Sequence, residues 1–361
     1  IEPGDGGSYS EFLKTKDSVG EFPDMMEMRD TAMYVRAGKV APLSDDVKAL
    51  FTSTVDFDGV AYTAPFSGAN TMGIMYNKKY FADNGLEIPK TWDEFITLCQ
   101  TIKDKGDMSP LVVGGSDVWH IGFLYDLCYA NDVLESDPDF IEECYKGEKD
   151  FSDANYQKAV TDLAEVLSFA QDGWASTPDA QITTFFVNDM SAMMFSGTHM
   201  FSQINEAAPD FEYGWFAVPD RDGKVNLLGG GWALSAEAAK DPDKQAAFDA
   251  FCKYFFSSDV YGAYCEAMAA IPTTVETPKM NTSEQFKSVL DALSAADYTH
   301  LMWNQEVGNR ELPPDFRNFT YKTCIEVAQG SRDVASASSE LQKTWNVALQ
   351  SFNPTTGLGV E

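Results

Sequence analysis

His120, His199 and His300 are the only imidazoles in the chain. Three imidazoles brought together by folding can hold a zinc ion. Their long spacing forms no local ligand motif, so hydrogen bonding to a polar ligand is the competing use, and such binding would weaken as pH falls through the histidine range. The six cysteines, Cys99, Cys128, Cys144, Cys252, Cys265 and Cys324, form no C-x-x-C pair, which removes zinc-ribbon and thioredoxin-type chemistry. Cys99, Cys252 and Cys324 fall at core-facing helical positions, where a thiol acts as a small hydrophobe. Buried free thiols are expected, with a Cys252–Cys265 disulfide as the first pair to test.

Other chemistry-bearing patterns are scarce. Gly229-Gly230-Gly231 lacks the later glycine and helix start of a dinucleotide fingerprint. No Walker lysine motif and no G-x-S-x-G elbow occurs. Asp220-Arg221-Asp222-Gly223 looks like the start of a calcium loop, yet Val218 and Gly229 stand where further ligands belong, so a surface turn is expected. With 56 acidic residues, paired carboxylates arise by chance and point to no acid–base site.

The elements that would position these residues alternate in type. Thr91-Trp92-Asp93-Glu94 is a capping box opening a helix with Phe95, Leu98, Cys99 and Ile102 on one face and Gly106 at its end. A second helix starts at Asp153, carries Tyr156, Val160, Leu163, Leu167 and Ala170, and stops at Gly173. A third has Asp241 as cap and Pro242 at its first position. Later helices begin near Ser283, Pro314 and Val334. Short apolar runs at Met72 to Tyr76, Leu111 to Val113, Ala192 to Phe195, Tyr213 to Val218 and Trp232 to Leu234 read as buried strands. Asp222-Gly223 reads as a hairpin turn feeding Val225 to Leu228. Strands and helices alternating over this length predict an α/β architecture.

The chain has 361 residues, 44% of them apolar, enough for two cores of ordinary domain size. A formal charge of −30 repels nucleic acid and anionic membrane surfaces, and its plainest role is solubility. No apolar run approaches the roughly 20 residues needed to span a bilayer, and no signal peptide is visible.

One ordered set of segments carries a family likeness. Tyr62-Thr63-Ala64-Pro65-Phe66 is followed by Gly73-Ile74-Met75-Tyr76-Asn77-Lys78-Lys79-Tyr80-Phe81, then by Pro89-Lys90-Thr91-Trp92-Asp93-Glu94-Phe95. Gly20-Glu21-Phe22-Pro23-Asp24 precedes them, while Asp189 to Gly197 and Gly230-Gly231-Trp232 follow. The pattern resembles the family-1 extracellular solute-binding proteins, the broad group that includes maltose-binding protein.

The resemblance implies a two-lobed, type II periplasmic-binding-protein-like α/β fold with a ligand cleft at the hinge. Lobe 1 would comprise residues 1–66 and 232–276, and lobe 2 residues 71–229 and 279–361. Crossovers would lie near 66–70, 228–231 and 274–279. The family's first strand and helix would lie ahead of Ile1, outside this numbering. It further implies a non-catalytic, cofactor-free monomer that captures a carbohydrate of oligosaccharide size and passes it to the permease of an ABC importer. Such a protein works outside the cell, as a surface lipoprotein or in a periplasm, and meets the membrane only through an N-terminal anchor removed from or missing in the chain. A polyamine, peptide or zinc receptor stays open, as does a carbohydrate-active enzyme on a similar scaffold.

Sugar recognition pairs flat aromatic rings with planar polar groups. By family position the ligand contacts would be Arg29, Asp30, Ser67, Asn70, Trp119, His120, His199, Gly231, Trp232, His300 and Trp303. Each has a plainer role. Trp232 and Trp303 would serve equally as core, Arg29 and Asp30 as a solvated surface pair, and the glycines around Gly231 as hinge or as close packing.

Overall fold

A computed structural model describes residues 9–28, 31–54, 56–57, 59–68, 72–220, 225–226, 230–296, 300–301, 303 and 308–352. The chain divides into two compact units. The first holds Ile1–Ala69, Leu228–Glu266 and Ala270–Asn281; the second holds Asn70–Leu227, Ala267–Ala269 and Thr282–Glu361.

In the first unit, the strand Gly231–Leu234 lies between Met25–Met28 and Ala64–Pro65, antiparallel to both. The helix Pro242–Phe255 starts where expected: the Asp241 side chain accepts from the Asp243 amide, and Pro242 takes the first turn, where its missing N–H is not needed. Phe248 and Cys252 then face a core that includes Val47, Phe51, Leu234, Phe256, Tyr261 and Cys265. A helix also precedes Gly20 within the chain. Tyr9–Ser18 buries Leu13 beside Met26, Met28 and Tyr34. Only Tyr9, Phe12 and Leu13 mark its apolar side, too few to stand out in sequence.

The second unit is built on a mixed sheet in the order Ser109–Val112, Ser191–Ser196, Gly73–Asn77, Tyr213–Ala217. The first pair is parallel and the other two are antiparallel. Every residue of Ser191–Ser196 is buried, because helices cover both faces; this is why the strand reads as a continuous apolar run. The helix Trp92–Lys105 has Thr91 as its cap and ends at Gly106, whose φ of 72° places it in the left-handed region. The Glu94 carboxylate reaches back to the Lys90 amide at 2.7 Å, and the Asp220 carboxylate accepts from Trp92 N at 2.7 Å. Thr91→Ala should therefore lower stability by about 1 kcal/mol, read as a shift in urea midpoint.

Two expectations are corrected here. The helix from Asp153 ends at Leu167, not Gly173. Beyond it the backbone turns to the sheet: Ala170 bridges Leu111, and Gln171 N donates to Leu111 O at 2.9 Å. That edge pairing satisfies groups a longer helix would have used. The strand Val225–Asn226 pairs in parallel with His300–Leu301, a distant segment, where a hairpin partner was expected; the turn at Asp222-Gly223 lies outside the described residues. All six cysteines are free and buried, including Cys252 and Cys265. Burial pushes these two thiols up, to about 12 and about 11 respectively, so both stay protonated and unreactive at neutral pH.

Candidate functional site

At one edge of the second unit's sheet, the carboxyl ends of Ser109–Val112 and Ser191–Ser196 meet the amino end of Gly73–Asn77. Parallel strands followed by helices gather their following loops at that edge, which is where ligands of open α/β sheets are met. Two of the expected residue groups hang from it: Trp119 and His120 after the first strand, and His199 after the second.

The first loop is held closely against its neighbour. Gly115 N donates to Trp174 O at 2.9 Å and Ser116 N to Thr177 O at 3.1 Å. A Cβ on Gly115 would sit 2.7 Å from the Trp174 carbonyl oxygen, so only glycine permits this approach. The helix Val118–Tyr129 then begins, and its second and third residues part ways. Trp119 is 37% exposed, with its ring 5.2 Å from that of Phe123. His120 is 1% exposed; its Nδ1 lies 2.7 Å from Asp179 Oδ1 and its ring stands edge-on to Phe195. An exposed indole beside polar loop groups can cover the C–H face of a flat ligand.

His199 leads into the helix Met200–Ala207 and is half-buried, packed over Gly197. His300 lies in the His300–Leu301 strand, half-buried. Burial first, and the nearby Arg310 charge second, hold its pKa below the usual histidine value and favour the neutral ring. The described residues contain no group of three or more His, Cys, Asp or Glu side chains placed to hold a metal ion.

Trp303 is 3% exposed, deep in the second unit's core, with Tyr125 and Tyr129 edge-on at 5.0 and 4.9 Å. Its expected stretch of loop is thus the site of a packing residue. Trp232 packs in the first unit, edge-on to Phe66 at 4.9 Å and to Phe251 at 5.3 Å. Trp303 is thus enclosed by rings of its own unit, whereas Trp232 is half-buried. The Ser67 hydroxyl accepts from the Ile271 amide at 3.0 Å, so it ties two segments of its own unit together. Gly231 lies in a strand so near its neighbour that a Cβ would meet Ala64 O at 2.7 Å, the close-packing use of the glycine. Arg29, Asp30 and Asn70 lie outside the described residues.

Asp117 and Asp179 belong to this edge and were missed. Asp117 Oδ2 accepts from the Asp179 amide at 2.7 Å, and Asp179 in turn holds His120. Pro178-Asp179 ahead of Ile182 and Phe186 does read as a helix start. Nothing local ties Asp179 to an imidazole 59 residues away.

A family model described as bacterial extracellular solute-binding protein matches residues 1–289. The chain belongs to that family. It therefore works outside the cytoplasm, and among its described residues no helix is long and apolar enough to cross a membrane. It is similar to the multiple sugar-binding protein of Streptococcus mutans, 26% identical over 353 residues that cover 90% of this chain and 78% of the relative. Among solved structures, a chitin oligosaccharide binding protein superposes with a TM-score of 0.79 at 22% identity, covering 93% of this chain and 86% of the other. RafE in complex with raffinose gives 0.76 at 22% identity, over 95% and 90%. At such identities these structures establish the fold: two-lobed, α/β and of type II. The solute-binding family is thus the one the ordered motifs from Gly20 to Trp232 resembled.

Proposed function

We propose that this solute-binding protein captures a carbohydrate of oligosaccharide size and delivers it unaltered to the permease of an ABC importer. The observation that carries the reading is the similarity, over 90% of this chain, to a relative named for binding multiple sugars. Structural neighbours named for chitin oligosaccharide and raffinose support the same ligand class. The protein acts as a monomer, at the cell surface as a lipoprotein or in a periplasm, and performs no catalysis.

Within the second unit, Trp119 supplies the aromatic platform and His199, after the neighbouring strand, a polar partner. Arg29, Asp30 and Asn70, assigned by motif position, donate to or accept from hydroxyls. His120, Ser67, Gly231, Trp232 and Trp303 act in support, since their polar groups or faces are engaged within the protein.

Calorimetric titration with raffinose, chitin oligosaccharides and other oligosaccharides tests the reading. At least one should bind and be recovered chemically intact. Trp119→Ala should weaken that binding roughly 30-fold, the loss of about 2 kcal/mol typical of a central aromatic contact. A response to zinc or spermidine with none to any glycan would overturn the ligand assignment, and turnover of a bound glycan would overturn the receptor assignment.

A further inference from the structure

The edge that presents Trp119 is built around a carboxylate–imidazole pair whose imidazole is buried and whose carboxylate is largely so. Asp179 opens the helix Asp179–Val187, where a carboxylate is favoured by the helix's own N-terminal amides. Its amide donates to Asp117 Oδ2, and its side chain meets His120 Nδ1, both at 2.7 Å. The Asp179 side chain is 16% exposed and that of His120 only 1%. Asp117 and His120 flank Trp119 in the sequence, two residues before and one after. The residue carrying the exposed ring therefore lies between two positions tied to the same partner.

Helix geometry makes the consequence specific. Successive side chains on a helix diverge by about 100°, so a ring fixed inward at His120 sets the outward direction of Trp119. A carboxylate–imidazole hydrogen bond in a water-poor setting is stronger and more directional than one on the surface. Asp117 alone would fix the loop's path without fixing the helix's rotation.

We propose that Asp179 is a positioning residue for ligand binding: acting through His120, it sets the orientation in which Trp119 offers its ring to the C–H face of a pyranose. This rests on the carbohydrate reading of Trp119 and adds Asp179 and His120 as determinants of affinity that touch no ligand. The function of the pair is orientation, and Phe195, against which His120 packs edge-on, forms the apolar backing of that arrangement.

A double-mutant cycle tests it, with the full chain titrated against the best-binding oligosaccharide. Asp179→Ala should weaken binding about 10-fold, and the effect should shrink to less than about 2-fold in a Trp119→Ala background. Asp179→Asn, which keeps an acceptor for Nδ1–H, should recover most of the affinity. His120→Gln gives an independent route should Asp179→Ala fail to fold, and its loss should likewise vanish without Trp119. The emission attributable to Trp119, taken as the difference between each variant and its Trp119→Phe partner, should be quenched differently by acrylamide in Asp179→Ala than in the parent. That readout needs no ligand, so it judges the positioning role even if no glycan binds. Additive losses, or unchanged quenching of Trp119, overturn the inference. If Trp119→Ala itself leaves affinity intact, the ligand reading of Trp119 falls, and the inference falls with it.

Discussion

Trp345→Ala is expected to destabilise the second unit by about 3–5 kcal/mol. Trp345 is fully buried on the helix Val334–Ala348, which also buries Ala337 and Leu341 on the same side. Its ring meets Tyr145 at 4.6 Å, Phe316 at 5.1 Å and Phe151 at 5.5 Å, the latter two edge-on. Truncation removes the apolar transfer energy of the indole and leaves a cavity lined by rings that cannot all move inward. The rings belong to different elements, so the loss reaches helix Phe316–Ala328 and, through it, the helix that carries Trp119. Urea denaturation followed by circular dichroism should show the second unit's transition at a clearly lower midpoint. Trp345→Phe should regain part of the loss, because a smaller ring still fills most of the space. An unchanged midpoint for Trp345→Ala would contradict this packing.

The opposite kind of change, adding one methyl group, is expected to have the second large effect. Gly122 faces Tyr321 across the contact between helices Val118–Tyr129 and Phe316–Ala328, and a Cβ there would lie 2.1 Å from Tyr321 Cε2. Tyr321 cannot swing away freely. It is 2% exposed, and its hydroxyl donates to the buried Asp126 carboxylate, with distances of 3.0 and 3.1 Å to the two oxygens. Gly122→Ala must therefore displace the ring, part the helices or break the tyrosine–aspartate bond. Overpacking of this kind costs about 1–3 kcal/mol, and losing the tyrosine hydrogen bond to a buried carboxylate adds about 1 kcal/mol. The expected total is about 2–4 kcal/mol, despite alanine's better helix propensity. The cause can be isolated in a Tyr321→Ala background: there, the added methyl group should cost much less than in the parent protein. Equal costs in both backgrounds would show that the contact does not govern the effect. Because Gly122 lies one turn beyond Trp119, ligand affinity should fall with stability in the variant that still folds.

How much of this was legible beforehand depended on the range of each interaction. Thr91, Asp153 and Asp241 announced helix starts because a side-chain oxygen and the amide it accepts from lie within three residues of each other. The five buried strands were legible as apolar runs, since a strand covered on both faces has no polar side to interrupt it. Helix Tyr9–Ser18 was not, because three apolar residues give a weak periodicity. The end of the Asp153 helix was missed for a different reason: Ala170 and Gln171 pair with Leu111, a tertiary contact that overrides a continuing apolar pattern.

The site divides along the same line. From the order of its segments alone the chain could be assigned its family, its α/β class and the edge of the sheet from which Trp119 and His199 hang. These are properties of local hydrogen bonding and periodicity, repeated in a fixed succession. Only the tertiary structure decided how far each indole is exposed. Trp119, Trp232 and Trp303 are chemically identical in sequence, yet Phe66 and Phe251 flank the second and Tyr125 and Tyr129 the third, while the first keeps more than a third of its surface. His120 likewise met its partner Asp179 only through folding. Exposure and pairing depend on what distant elements bring alongside a side chain, and no spacing within one segment encodes that.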